Sequence, residues 1–298
     1  MEAKEELYKI RTIGERFSAT SDFVRENWKV LLRNLLPVGL ILALLMGFFI
    51  QYYMQTMYAI IENSMDFASV NWLAYTGMTI VSMLFSFFIY SMSGAILNRS
   101  AEGLLTPETG WADLKGTFFS IAGRLFIQYC IIFLFFLVFA VIVAVPTALL
   151  ISGNLWMATS VLLTFVFLLF LAAVVVFLPA FSLMQYPVYF ELSSAWKSIK
   201  KGFKWGFRYW GSTFLTSLLG ILIVGVVVYI LAMPCIVYMM FGRGNVGWLG
   251  SLLFAFMYAG ILFLTPLYII FLAFQYTSIA EREKSKFPQE APVESAKI

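Results

Sequence analysis

Residues 193–210 read Ser-Ser-Ala-Trp-Lys-Ser-Ile-Lys-Lys-Gly-Phe-Lys-Trp-Gly-Phe-Arg-Tyr-Trp. Wound as a helix, this stretch puts Trp196, Ile199, Phe203, Phe207 and Trp210 on one face. Lys197, Lys200, Lys201, Lys204 and Arg208 fall on the other. A basic face opposite an aromatic one is the composition of a helix lying in a membrane interface. A long apolar run starts immediately afterwards, so the unit is an amphipathic helix feeding a membrane span.

The rest of the chain agrees. Of 298 residues, 61% are hydrophobic and only 12% charged, with mean hydropathy +0.88. A soluble domain carries about 25% charged residues, so most of this chain belongs in lipid. The net charge of +4 is small, and its placement matters more than its size. The basic residues flank spans, which argues against nucleic acid as a partner and for anionic membrane lipids. There is no histidine, and Cys130 and Cys235 are the only cysteines. That count excludes a His/Cys metal site, and no cofactor is implied. The span order puts the two cysteines in opposite leaflets, beyond disulfide reach. The segment before the first apolar run is long, charged and without a small-residue cleavage site, unlike a signal peptide.

Residues 1–20 are charged and mixed, and predict a solvated helix or frayed tail. Residues 21–33 predict an amphipathic helix with Val24, Trp28 and Leu31 on one face. A first span follows at 34–54, because residues 34–61 carry no charge and a crossing needs about 20 residues. The loop 55–74 holds Glu62 and Asp66. The second span runs over 75–98. Thr106, Pro107 and Glu108 form a helix-start pattern, opening an amphipathic segment that Arg124 closes. Residues 125–190 carry no charge and hold two spans, 125–147 and 160–184. Pro146 and the Ser152-Gly153-Asn154 turn separate them. A fifth span at 211–233 ends at Pro234, and a sixth covers 248–276 after the Gly242-Arg243-Gly244-Asn245 turn. Pro179 and Pro266 predict kinks in the fourth and sixth. Residues 281–298 predict a disordered tail.

All 20 basic residues but Arg243 lie in the N-terminal segment, the 99–124 and 186–209 connections, or the C-terminal tail. By the positive-inside rule, both termini face the cytoplasm. The expected class is therefore an all-α integral membrane protein of a bacterial cytoplasmic membrane. It has six transmembrane helices and three interfacial helices nearly parallel to the bilayer.

Three segments share a pattern of apolar, basic, two residues, aromatic. They are Val24-Arg25-Glu26-Asn27-Trp28, Leu114-Lys115-Gly116-Thr117-Phe118 and Ile199-Lys200-Lys201-Gly202-Phe203. Trp111 and Trp196, Pro146 and Pro234, and Pro179 and Pro266 recur at a similar spacing. This predicts a triplicated unit of one interfacial helix and two spans, over about 21–100, 106–190 and 193–280, within one membrane domain of 21–280. The layout resembles bacterial integral membrane proteins related to the membrane domain of glycerophosphodiester phosphodiesterases, over roughly 21–280. In those enzymes a separate soluble domain performs the catalysis, and no such domain stands beside the spans here. The resemblance therefore implies an accessory or lipid-related role, not phosphodiesterase activity.

No ionisable residue falls in the middle of an expected span, and no partner activates Ser82, Ser86, Ser91 or Ser93, so catalysis is not expected. Expected head-group contacts are Arg25, Lys29, Lys115, Arg124, Lys197, Lys200, Lys201, Lys204 and Arg208. Expected interfacial anchors are Trp28, Trp111, Phe118, Trp196, Phe203 and Trp210. No acid follows Glu191 until Glu281, so the expected counter-charge of the 196–210 lysines is lipid phosphate. Small residues every four positions predict packing seams: Gly39, Ala43 and Gly47; Ala140, Ala144 and Ala148; Ser212, Thr216 and Gly220; Gly247, Ser251, Ala255 and Ala259. Asn34, Asn98, Gln128, Gln185 and Gln275 either cap helices or line a shallow vestibule. The expected function is a non-enzymatic membrane protein that binds lipid in membrane or envelope homeostasis. The alternative is a transporter or channel for a small uncharged or amphipathic solute.

Overall fold

Thr12 and Glu15 open the first helix. The Thr12 N–H donates to the Glu15 carboxylate at 2.7 Å, and the Glu15 N–H points back to Thr12 Oγ1 at 3.4 Å. This reciprocal box satisfies two donors that the first turn would otherwise leave unmade. In the computed structural model, which describes residues 7–62, 72–152, 156–242 and 247–286, α1 then runs unbroken over Ile13–Glu62. At 1.5 Å per residue its length is about 75 Å, more than twice a bilayer core of about 30 Å. The expected interfacial helix at 21–33 is therefore a continuation of the first span. No glycine or proline separates them before Pro37.

Helix α2 (Trp72–Ala101) ends at Gly103, which has φ +71°. The Leu104 N–H reaches the Arg99 carbonyl and the Gly103 N–H reaches Ser100, a Schellman closure that needs a left-handed residue. Helix α3 (Trp111–Ser152) begins four residues later than Thr106 as N-cap predicts. Thr106 and Thr109 instead close a turn around Pro107, and Asp113 accepts the Gly110 N–H at 2.9 Å. Here too the expected interfacial segment and its span are one helix. Helix α4 (Trp156–Leu183) is followed by the short α5 (Tyr186–Glu191), which ends at Leu192 with φ 46°. Helix α6 (Ala195–Arg208) and α7 (Trp210–Gly242) are separated by Tyr209 alone, at φ −113° and ψ 34°. Helix α8 covers Trp248–Lys286.

Six of these helices are long and apolar enough to cross a membrane, and the protein is an all-helical, multi-pass membrane protein. Pro146 and Pro234 lie inside α3 and α7 and do not end them. In lipid a helix that loses one hydrogen bond still satisfies its backbone better than a broken one. The tail is helical to Lys286. Arg16 and Thr20, in the segment expected to be solvated, are buried. The remaining turn positions at 153–154 and 243–245, the loop over 63–71 and the tail beyond Lys286 lie outside the described residues.

The spans close a ring in the order α1, α2, α3, α4, α7, α8 and back to α1. The α1–α8 contact is the most extensive, and it joins the small-residue stripes. A side chain at Gly39 would strike Leu262, and one at Gly47 would lie 2.7 Å from the Ala255 N atom. Ala43 is buried in the same seam. Gly247 has only the Tyr238 hydroxyl nearby, at 3.7 Å, and takes no part. The core sits at the end of the bundle that carries the basic connections. There α2 is buried all round from Ser91 to Asn98, against Tyr186, Val188, Tyr189, Ile269 and Tyr276. Towards the other end α3 and α4 stand largely exposed, from Phe133 to Ile142 and from Val161 to Val176. Cys130 is exposed and Cys235 buried, and both are free.

Candidate lipid interface at the basic end

The sequence assigns α6 an aromatic buried face, but the structure buries a different one: Ala195, Ser198, Gly202, Trp205 and Gly206. A side-chain carbon at Gly202 would lie 2.5 Å from Met184 Cα, and one at Gly206 2.5 Å from Ala180 Cα. Trp210 continues the register by donating its indole N–H to the Val176 carbonyl at 3.0 Å, in the turn before Pro179. Positions 202, 206 and 210 thus meet 184, 180 and 176, so α6 runs antiparallel along the end of α4. The backbones touch because the glycines have no side chains. The signal was Ser198, Gly202 and Gly206 at four-residue spacing, the rule applied above to the spans alone. Phe207 packs edge-on to Phe177 and Phe203 tilts against it, while Trp196 stays 54% exposed.

Two of the five α6 cations have protein counter-ions, contrary to the expectation that lipid supplies them all. Lys201 pairs with Glu191, over the Trp205 ring at 4.3 Å. Arg208 pairs with Glu283 at 2.7 Å. Each acid is a hub. Glu191 also accepts from the Tyr276 hydroxyl at 2.6 Å. Tyr8 lies close enough that burial, and then the Glu191 carboxylate, push its phenol up to about 12. Glu283 also accepts from Tyr209 and from Lys286 at 3.1 Å, and Lys286 donates to Tyr209 at 2.7 Å. The tail of α8 therefore pins the joint between α6 and α7. Glu191 lies only ten residues before Lys201, whereas Glu283 lies 75 residues after Arg208 and nothing local announces it.

Lys197, Lys200 and Lys204 remain. All three are exposed on one face of α6, and none has a carboxylate partner among the described residues. Lys200 sits 5.3 Å from the Trp196 ring. Of the other expected contacts, Lys115 is exposed, and Lys29 is exposed 5.8 Å from the Trp28 ring. Arg25 pairs with Asp22 at 3.5 Å on the surface. Arg124 is half-buried, with a buried Nη1 that has no acceptor among the described residues. Trp28 and Trp111 are exposed anchors, whereas Phe118 is 8% exposed and belongs to the core, beneath Trp111. Trp210 is half-buried and stacks on Phe214 at 4.8 Å.

The amides mostly bridge helix ends. Asn34 donates to the Thr109 carbonyl at 3.1 Å, Asn98 to Tyr189 at 2.7 Å and Gln128 to Met184 at 3.1 Å. Those carbonyls end or precede other helices, where the ladder leaves them without an N–H. Gln275 differs: it donates to Thr213 at 2.9 Å, beside a buried arginine, Arg16. Comparison with protein-family models, with curated proteins and with solved structures gives no match.

Proposed function

We propose that the chain is a non-enzymatic protein of a bacterial cytoplasmic membrane that binds anionic lipid on the Lys197–Lys200–Lys204 face of α6. Its basic end and both termini face the cytoplasm, following the charge asymmetry of the connections. One observation carries the reading. On a single helix, Lys201 and Arg208 have carboxylates, while three lysines on an exposed face beside exposed Trp196 have none among the described residues. Each lysine near an anionic leaflet contributes about 1 kcal/mol, reduced by salt. A non-enzymatic role is supported by the use of buried hydroxyls as local backbone ligands, such as Thr20 on Arg16 and Thr216 on Ser212. A transporter for an uncharged solute draws little support from Asn34, Asn98 or Gln128, whose amide N–H groups are spent on helix ends.

The test is the triple variant Lys197→Gln, Lys200→Gln, Lys204→Gln, with co-purified lipid read by native mass spectrometry. It should retain less phosphatidylglycerol than the parent, with the largest difference at low salt. Equal retention at low salt would show that these charges set topology only.

A further inference from the structure

Arg16 is the most deeply buried cation described, at 2% exposure. Its Nη1 donates to Thr216 Oγ1 and its Nη2 to the Arg11 carbonyl, both at 2.8 Å. Both acceptors are neutral. Its Nε–H has no acceptor among the described residues. The charged groups that act on it are Arg282, Arg11 and Glu15. Two of these repel it, and the Glu15 carboxylate is already committed at the exposed start of α1.

Around the guanidinium lies a polar layer between α1, α7 and α8. Thr213, Thr216 and Ser217 share the buried face of α7, and Gln275 faces them from α8. Ser217 Oγ and Gln275 Oε1 are buried without a partner among the described residues. A buried charge whose hydrogen-bond acceptors are all neutral, with two cations and one exposed carboxylate nearby, is costly to keep. A guanidinium with an open N–H, a free hydroxyl and two further arginines is built to receive an oxyanion, because the fork matches phosphate geometry. Arg11 also lines a separate crevice of about 620 Å³ at this end, where Lys9 and Arg25 are balanced by Glu15, Asp22 and Glu26, so the crevice itself is no anion site.

We propose that the Arg16 layer is a binding site for a phosphate-type oxyanion, the chemistry shared by an anionic lipid head group and free phosphate. The site uses none of the α6 lysines and stands if the α6 reading fails. The whole chain is reconstituted in phosphatidylcholine nanodiscs and its thermal midpoint followed in two arms. One adds inorganic phosphate, and the other includes phosphatidylglycerol in the nanodisc. The parent should gain stability in at least one arm, and which arm responds identifies the source. Arg16→Met should weaken the apparent affinity about tenfold or more, as loss of a charge-assisted contact implies. Without either anion it should be at least as stable as the parent, because it removes an uncompensated charge. The α6 triple variant should keep the response. If Arg16→Met does not fold, Arg16→Lys, which keeps the charge but not the fork, should show a smaller loss. The proposal is overturned if the parent responds in neither arm, if the Arg16 variants respond as the parent does, or if the α6 triple variant alone abolishes the response.

Discussion

The α1–α8 pair and the α3–α4 pair are written in the same alphabet and behave differently. Gly39, Ala43 and Gly47 lie in the tightest seam of the molecule, against Leu262 and Ala255. Ala140 and Ala144 have the same spacing on α3 and stay exposed. The difference is the facing helix. Helix α8 offers Ser251 and Ala255 to Gly47, so two backbones can approach. On α4, Leu168, Phe170 and Leu171 are exposed like the alanines, so neither helix closes on the other there. Small residues at four-residue spacing permit contact, and a helix packed against that stripe is needed to make it.

The sharpest way to break that comparison is to fill both stripes. Gly47→Leu should cost about 3 kcal/mol or more, because its Cβ would already lie 2.7 Å from the Ala255 backbone. Ala144→Leu should stay within about 0.5 kcal/mol. Unfolding of the purified variants in mixed micelles compares them, and an equal loss would mean that α3 is packed in the membrane. Gly202→Val probes the third close approach and should cost about 2 kcal/mol through its clash with Met184. Faster amide exchange over 195–208, with α1 unaffected, is the expected local signature.

Smaller effects test the hubs. Glu283→Gln removes the charge that holds Arg208 and Lys286, on a side chain only 15% exposed. A loss of about 1 kcal/mol is expected. Glu191→Gln should cost about 0.5 kcal/mol, because its 38% exposed side chain is screened. A larger loss for Glu191 than for Glu283 would reverse the ranking of the two clamps.

A separate test is alkaline. The Tyr8 phenol, outside the spans, titrates near 12 when folded and near 10 when unfolded. Its neutral form is favoured in the fold, so this contribution is fully present below pH 10 and is lost as pH rises through 12. Tyr8→Phe should flatten the stability of the parent across that window.

The spans were legible because apolar length and basic flanks are local quantities. The ends of helices were less so. Pro146 and Pro234 read as breaks by soluble-protein rules, but lipid leaves a chain no water to bond with when it stops. Arg16 was hidden in a stretch of mixed charges that reads as solvated. Its spacing from Thr20 and Phe23, which are buried on the same face, was the available clue. The pairing of Arg208 with Glu283 was illegible, because only the closed ring brings them together. The division of the α6 lysines follows instead from Glu191, ten residues upstream, which reaches Lys201.

The α1–α8 seam also imposes an order on synthesis. Gly47 enters the membrane early, and Ala255 is made more than two hundred residues later. At 5–20 residues per second the delay is on the order of tens of seconds. Throughout that time the groove of α1 has no α8 to close it, and once made, the joint at Tyr209 waits a further 74 residues for Glu283. A photo-crosslinker at Phe48, beside that groove, should therefore capture insertion factors on chains stalled before α8 and lose them once α8 is complete. The sixth span is the one that closes the ring.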